Sequence, residues 1–347
     1  MSFDKILEQF TAYYGDRWSD AVVREIEEDG FTRLCVSSPS LLRDGLGNCP
    51  QVLHHQQVTD NVIVLIHGLT DSPYYVQAIA EDFARFGFNV VLPLLPAHGL
   101  KRPSRAFRQL KHTDWIEAVA AMCDVAKQMG QKVSMGGLST GGALSVHKAV
   151  TDPKSVTGGL FLFAPALDIG TVEQLALQTE AGRVITRLQD RRAWFVKTIK
   201  ERFQAILDDQ EAGKSDEFFG IGKNKYRYSV FFYEGSSQLA EIIQEINNHY
   251  DKDNLKFGDL YQPVFVAHAK DDESALFRGT QVLVENHPNE AVELFAMKGV
   301  PHPSVALKQA IVNEDEYELC APANPFYARM SEKMLAFAER HLSVRAK

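Results

Sequence analysis

From about residue 60 to 165, short apolar runs alternate with stretches of helical period. "NVIVLIHG" (61–68) is an unbroken β-branched run, as expected of a strand buried on both faces in a parallel sheet. Ser72 and Pro73 then read as N-cap and first helical residue. Val76, Ile79, Ala80, Phe83 and Phe86 recur at helical spacing, and Gly87 stops the helix. "FNVVLPLLP" predicts a second strand and "RPSRAFRQLKH" a loop. Asp114 opens another helix with Glu117 as its capping-box partner; Ile116, Val119, Ala120 and Cys123 share one face, and Gly130 ends it. "KVSM" is a short strand, "ALSVHKAV" a helix and "GLFLFAP" a further buried strand. This rhythm is that of a mostly parallel sheet with helices on both faces, an α/β fold.

The rhythm lapses from 168 to 260, a polar, helical stretch with aromatic clusters such as "EFFG" and "YRYSVFFYEG". It returns at "PVFVAHA", "ALFRGTQVLVEN" and "AVELFAM", and a terminal helix over roughly 325–341 closes the chain. Residues 1–50 read as mixed and partly helical, with a loop around "RDGLGNCPQ". The expected organisation is therefore a core made of 1–167 and 261–347, with 168–260 inserted over one edge of the sheet.

The 347 residues suffice for one large α/β domain, and a formal net charge of -8 without a dense Lys/Arg cluster argues against a nucleic-acid partner. Four dispersed cysteines, Cys35, Cys49, Cys123 and Cys320, read as reduced thiols. "MSFDKILEQF" lacks the apolar core of a signal peptide, and no apolar run is long enough to span a bilayer. A cytoplasmic protein without stable membrane insertion is the expectation.

The most informative short stretch is "GGLSTGG", Gly136 to Gly142. It contains the G-x-S-x-G pattern Gly137-Leu138-Ser139-Thr140-Gly141, set between a β-run and a helical run. A phosphate-binding loop needs Lys and Ser/Thr after its second glycine, but Ala143-Leu144 stand there. A strand-turn-helix corner instead exposes Ser139 at the top of the sheet. Serine is a weak nucleophile unless a base, an orienter and oxyanion donors accompany it.

The base should follow the last strand, and His302 in "MKGVPHPS" does so directly; His268, His287 and His341 are placed less well. For the acid, Asp271, Asp272 and Glu273 lie just past "PVFVAHA", with Asp168 after "GLFLFAP" as a further candidate. The oxyanion donors should be two backbone N–H groups. Thr140 begins a helix directly after the serine, and "HGLT" points to Leu69. The sequence shows no HExxH and no Cys/His ligand cluster, and His54-His55 is isolated, so neither metal nor cofactor is expected.

"VIVLIHGLTDSP", "LPLLPAHGL", "HTDWIEAV" and "GGLSTGG" resemble the α/β-hydrolase superfamily, and within it the carboxylesterase and monoacylglycerol lipase-like branch. The resemblance is strong over about 60–165 and returns over about 262–305. It implies an α/β-hydrolase fold with an inserted cap (lid) at 168–260. In that branch the acid closes a small-x-x-Asp pattern, which "HAKDD" carries at Asp272. The chain departs from the branch at Ala269, where glycine is usual, and at Val300-Pro301 before the histidine. His98 in "PAHG" matches a structural loop near the family's active-site mouth.

The implied activity is a serine hydrolase acting on carboxylic esters, with Ser139, Asp272 and His302 as triad and Leu69 and Thr140 at the oxyanion hole. The implied partner is a small-molecule ester with an apolar acyl group, of short or medium chain length, or a monoglyceride. A thioesterase, a serine peptidase or an acyltransferase could run on the same triad, and a binding protein with an inert triad is a further alternative. Phe218, Phe219, Tyr226, Tyr228, Phe231, Phe232 and Tyr233 either line an acyl pocket or pack the cap onto the sheet.

Overall fold

The apolar runs form the centre of a nine-stranded sheet in a computed structural model that describes residues 2–43, 45–169, 224–228, 233–251, 256–257, 260–288, 291–313, 315 and 317–342. The described chain begins with α1 (Phe3–Gly15), β1 (Val22–Glu28), β2 (Phe31–Ser37), β3 (Gln51–His54) and β4 (Thr59–Ile66). Next come α2 (Tyr74–Arg85), β5 (Asn89–Leu92), α3 (Ser104–Gln109), α4 (His112–Met129), β6 (Gly130–Leu138), α5 (Thr140–Thr151) and β7 (Leu160–Phe163). After 224–228 follow α6 (Tyr233–Asn248), two short strands β8 (Tyr250–Asp251) and β9 (Lys256–Phe257), and β10 (Val264–Ala269). The chain continues with α7 (Phe277–Glu285), β11 (Val292–Met297), β12 (Ile311–Asn313), β13 (Glu318–Ala321) and α8 (Tyr327–Leu342).

The sheet order is β1-β2-β3-β5-β4-β6-β7-β10-β11. The strands from β5 to β11 pair in parallel, while β1, β2 and β3 add an antiparallel edge. Alternate residues of one strand serve opposite layers, because successive strand side chains point to opposite faces. On one face Val62, Val64 and Ile66 of β4 pack with Trp115, Val119 and Met122 of α4. On the other, Ile63 and Leu65 pack with Tyr75, Ile79 and Phe83 of α2 and with Phe337 of α8. Full burial of each such large side chain contributes on the order of 1.5–3 kcal/mol. The outcome is the expected α/β-hydrolase arrangement.

The register brings the strand ends to one level. Ile66 pairs with Gly137, Leu138 and Ala267 both pair with Phe163, and Ala269 pairs with Met297. The loops after β4, β6, β7, β10 and β11 therefore meet at one edge, the usual place for a site on a parallel sheet.

Several local expectations are corrected. Pro73, not Ser72, occupies the N-cap of α2, and the buried Ser72 Oγ has no hydrogen-bond partner among the described residues. Asp114 lies at the third helical position of α4, where its carboxylate accepts from the N–H of Lys111, the true N-cap, at 2.8 Å. Ile116 and Ala120 are only half-buried, because Trp115, Ala118 and Met122 carry the inner face. "RPSRAFRQLKH" contains the six-residue helix α3 rather than being all loop. Residues 1–50 include two strands of the main sheet beside α1, and β12 and β13 form a hairpin.

Within 168–260, Phe218, Phe219, Phe231 and Phe232 lie outside the described residues. Helix α6 from this stretch packs on α5 and α4 and buries Leu239, Ile242 and Ile246. Cys35, Cys49, Cys123 and Cys320 are free thiols. Among the described residues, no helix is long and apolar enough to cross a membrane.

Candidate active site

Strand β6 ends at Leu138 and α5 starts at Thr140, which leaves Ser139 alone in the turn with φ 54° and ψ -113°. A non-glycine residue held in such a conformation costs about 1–3 kcal/mol and persists only where the surroundings over-determine it. Here they do. The Ser139 N–H donates to the Phe163 carbonyl at 3.0 Å, and its own carbonyl accepts from Ala143 and Ala166, each at 3.0 Å. A Cβ on Gly141 would come within 2.0 Å of the Ile66 carbonyl oxygen, so only glycine lets α5 start this close to β4. Among the described residues the Ser139 hydroxyl has no hydrogen-bond partner, His302 included.

The loops after β10 and β11 bring Asp272 and His302 together. His302 Nδ1 lies 2.6 Å from Asp272 Oδ2. The other carboxylate oxygen, Oδ1, accepts from the backbone N–H of Ser274 at 2.8 Å and of Ala275 at 3.0 Å. The Asp272 side chain is fully buried, whereas that of His302 is 12% exposed and so reachable from solvent. Burial alone would raise the Asp272 pKa. The charge of His302, followed by the hydrogen bonds from His268 and His302, instead holds it well below the usual carboxylate range. Asp272 therefore stays an anion, and it orients the His302 ring by facing Nδ1, so that Nε2 lies on the other side of the ring.

The loop after β4 approaches the same turn. A Cβ on Gly68 would lie 3.3 Å from Ser139 Cβ and 2.5 Å from Asp71 Oδ2. Leu69 follows, and among the described residues neither its N–H nor that of Thr140 finds a protein acceptor. Two neutral imidazoles brace this loop. His67 Nε2 accepts from Leu95 N–H at 3.1 Å, and His98 Nε2 accepts from Thr70 N–H at 3.2 Å. Burial lowers both pKa values, that of His98 to about 4.

The remaining candidates have other partners. Asp271 is turned to the Gly299 N–H at 3.0 Å, and Asp168 Oδ2 is held by Arg278 Nε at 2.7 Å. His287 Nε2 meets the Gln262 carbonyl at 3.0 Å, at the opposite end of β10, and His341 packs on Phe337 with ring centroids 4.4 Å apart. Tyr226 stacks on Tyr74 at 3.6 Å between centroids, and the Tyr228 hydroxyl accepts from Leu100 N–H at 2.6 Å. Among the described residues, no group of three or more His, Cys, Asp or Glu side chains could hold a metal ion.

Two residues at the site, Asp71 and Arg227, were not singled out from the sequence, and His268 was weighed there only as a candidate base. His268 Nε2 lies 3.0 Å from the Ala275 carbonyl and 3.3 Å from Asp272 Oδ2, and its Nδ1 meets Thr280 Oγ1 at 2.7 Å. A second imidazole thus faces the carboxylate; its signal is a histidine four residues before the acid. Asp71 is a buried carboxylate beside Gly68, and Arg227 Nε lies 3.2 Å from Asp71 Oδ1. Burial raises the Asp71 pKa, opposed by Arg227 and then by His302. Their signals are a carboxylate three residues after Gly68 and an arginine between two tyrosines.

A family model described as serine aminopeptidase, S33, matches residues 57–305. A thermostable monoacylglycerol lipase of Bacillus sp. (strain H-257) is 32% identical over 94 residues. That match spans 26% of this chain and 36% of the lipase. Among solved structures, one of two metagenome-derived lipolytic enzymes, LipS and LipT, superposes with a TM-score of 0.59 at 19% identity, over 85% of this chain and 98% of that one. A soluble variant of monoglyceride lipase from Saccharomyces cerevisiae, solved with a substrate analogue, gives 0.55 at 13% identity, over 92% and 96%. At these identities the superpositions speak for the fold.

Proposed function

The chain belongs to the serine aminopeptidase S33 family of α/β hydrolases, and from that premise we propose that it is a serine hydrolase cleaving carboxylic esters through an acyl-enzyme. Ser139 Oγ attacks the ester carbonyl while His302 Nε2 takes its proton. The N–H groups of Leu69 and Thr140 hold the oxyanion, with the positive end of α5 behind Thr140. His302 then protonates the leaving alcohol, and water activated by the same imidazole cleaves the acyl-enzyme. Asp272 stabilises the imidazolium through both steps.

The observation that carries this reading is the 2.6 Å contact between His302 Nδ1 and the buried Asp272 carboxylate, at the sheet edge where Ser139 turns out. The substrates we propose are short or medium acyl esters and monoglycerides, in line with the monoacylglycerol lipase that this chain resembles over 94 residues. In this reading 168–260 forms a cap on a core of 1–167 and 261–347. The free thiols fit a reducing, cytoplasmic compartment.

The family's aminopeptidase description favours one competing reading, cleavage of aminoacyl amides by the same residues. A panel of p-nitrophenyl esters, monoacylglycerols, acyl-CoAs and aminoacyl amides separates the two. Turnover of the oxygen esters and monoacylglycerols is the expected result. Turnover confined to aminoacyl amides would replace the esterase reading with a peptidase.

A further inference from the structure

Segment 224–228 lies directly against the loop after β4. Arg43 Nη1 and Nη2 donate to the carbonyls of Arg227 and Asn224, at 2.8 and 3.0 Å. Asn48 Nδ2 donates to the Lys225 carbonyl at 2.9 Å, and Asn224 Nδ2 to the Tyr75 hydroxyl at 2.7 Å. The segment is therefore tied to the core by its own backbone as well as by its side chains.

From this anchored position it grips Thr70. The Tyr228 N–H donates to the Thr70 carbonyl at 2.9 Å, and Arg227 Nε donates to Thr70 Oγ1 at 3.2 Å. The third tie is the Thr70 N–H to His98 Nε2 at 3.2 Å. Thr70 needs such ties, because its φ of 67° lies in the left-handed region that a β-branched residue otherwise avoids. Thr70 directly follows Leu69, whose N–H is the proposed oxyanion donor, so the Thr70 conformation helps to set where that N–H points. On the other side of Leu69, the Asp71 carboxylate closes over Gly68 and pairs with Arg227. Asp71 is 4% exposed, and a carboxylate so buried is strongly destabilising without its cation.

We propose that Arg227 and Asp71 are positioning residues for the oxyanion hole: their ion pair fastens segment 224–228 to the Gly68–Asp71 loop and keeps the Leu69 N–H aimed at the carbonyl that Ser139 attacks. This rests on the serine hydrolase reading. Neither side chain needs to touch the substrate; both act through Thr70 and Gly68.

The test is steady-state hydrolysis of p-nitrophenyl butyrate by the full-length wild type, Arg227→Ala, Arg227→Lys, Asp71→Asn, and Arg227→Ala combined with Asp71→Asn, each checked by near-UV circular dichroism. Misaiming one oxyanion donor should lower kcat by roughly 10- to 100-fold, with KM within about threefold. The combined variant should be no slower than the slower single one, because both changes act through one loop. Arg227→Lys should recover part of the loss, since it keeps a cation on Asp71. Folded Arg227→Ala and Asp71→Asn proteins with kcat within twofold of wild type would overturn the proposal, as would losses carried by KM alone. Should Arg227→Ala fail to fold, Arg227→Lys and Asp71→Asn are judged by the same criterion. A wild-type protein without Ser139-dependent turnover of either p-nitrophenyl butyrate or aminoacyl amides would overturn the serine hydrolase reading itself, and this proposal with it.

Discussion

Replacing Asp272 by asparagine is the sharpest single-residue perturbation of the proposed relay. In the wild type, Oδ1 accepts two backbone N–H groups, from Ser274 and Ala275, and Oδ2 faces His302 Nδ1 at 2.6 Å. An asparagine keeps its oxygen on the two N–H groups, because an amide NH2 there would leave both donors unpaired. Its NH2 must then face His302 and His268. Two donors cannot share a hydrogen bond, so His302 is driven to the tautomer with Nδ1 unprotonated and Nε2 protonated. That imidazole cannot take a proton from Ser139. The imidazolium also loses its adjacent anion. Together these changes should lower kcat by about 10³- to 10⁴-fold, equivalent to about 4–5.5 kcal/mol at 1.36 kcal/mol per tenfold. Asp271→Asn is the control, because Asp271 is turned away to Gly299; its kcat should stay within a few-fold of wild type. The assay is ester hydrolysis at saturating substrate, with urea unfolding to confirm that both variants fold. An Asp272→Asn protein keeping more than a tenth of wild-type kcat, or an Asp271→Asn protein losing as much as Asp272→Asn, would refute the assignment of Asp272 as the orienting anion.

His98 should make stability depend on pH. Burial sets its pKa at about 4 in the fold against 6.5 when exposed, so its contribution is complete above pH 6.5 and falls as pH drops towards 4, by up to roughly 3 kcal/mol. Urea unfolding between pH 7.5 and 4.5 should show a steeper loss for wild type than for His98→Gln, and equal slopes would contradict this. Gly68→Ala should lower kcat more than tenfold, because its Cβ would meet Asp71 Oδ2 at 2.5 Å and crowd Ser139. An unchanged kcat in that variant would show that the loop yields without consequence for Ser139.

The central strands were legible because burial on both faces leaves an unbroken apolar run, and Gly87 and Gly130 punctuate the helices between them. The antiparallel edge was not. Strand β1 is exposed along most of its length and has no period-2 contrast. Strand β2 carries Arg33, a buried cation that only pairing with Glu28, Glu81 and Gln51 makes tolerable. Those partners come from β1, α2 and β3, and no local pattern announces them. Helix α3, with six residues, is too short for a period to emerge. At the site, residue types and chain order pointed to Ser139 and His302. The choice among Asp271, Asp272 and Glu273 leaned on resemblance, because it depends on how one turn orients adjacent side chains. The roles of His268, Asp71 and Arg227 escaped for a related reason. His268 meets Asp272 only through the way one turn folds back on its own strand, and for Arg227 and Asp71 the partner is 156 positions away in the chain.

The most direct test of the serine hydrolase proposal is Ser139→Ala, assayed with a fluorophosphonate probe and with p-nitrophenyl butyrate. The wild type should be labelled and should turn over the ester, while a folded Ser139→Ala protein should do neither above background. Labelling or turnover that survives in Ser139→Ala would contradict the claim that Ser139 is the nucleophile.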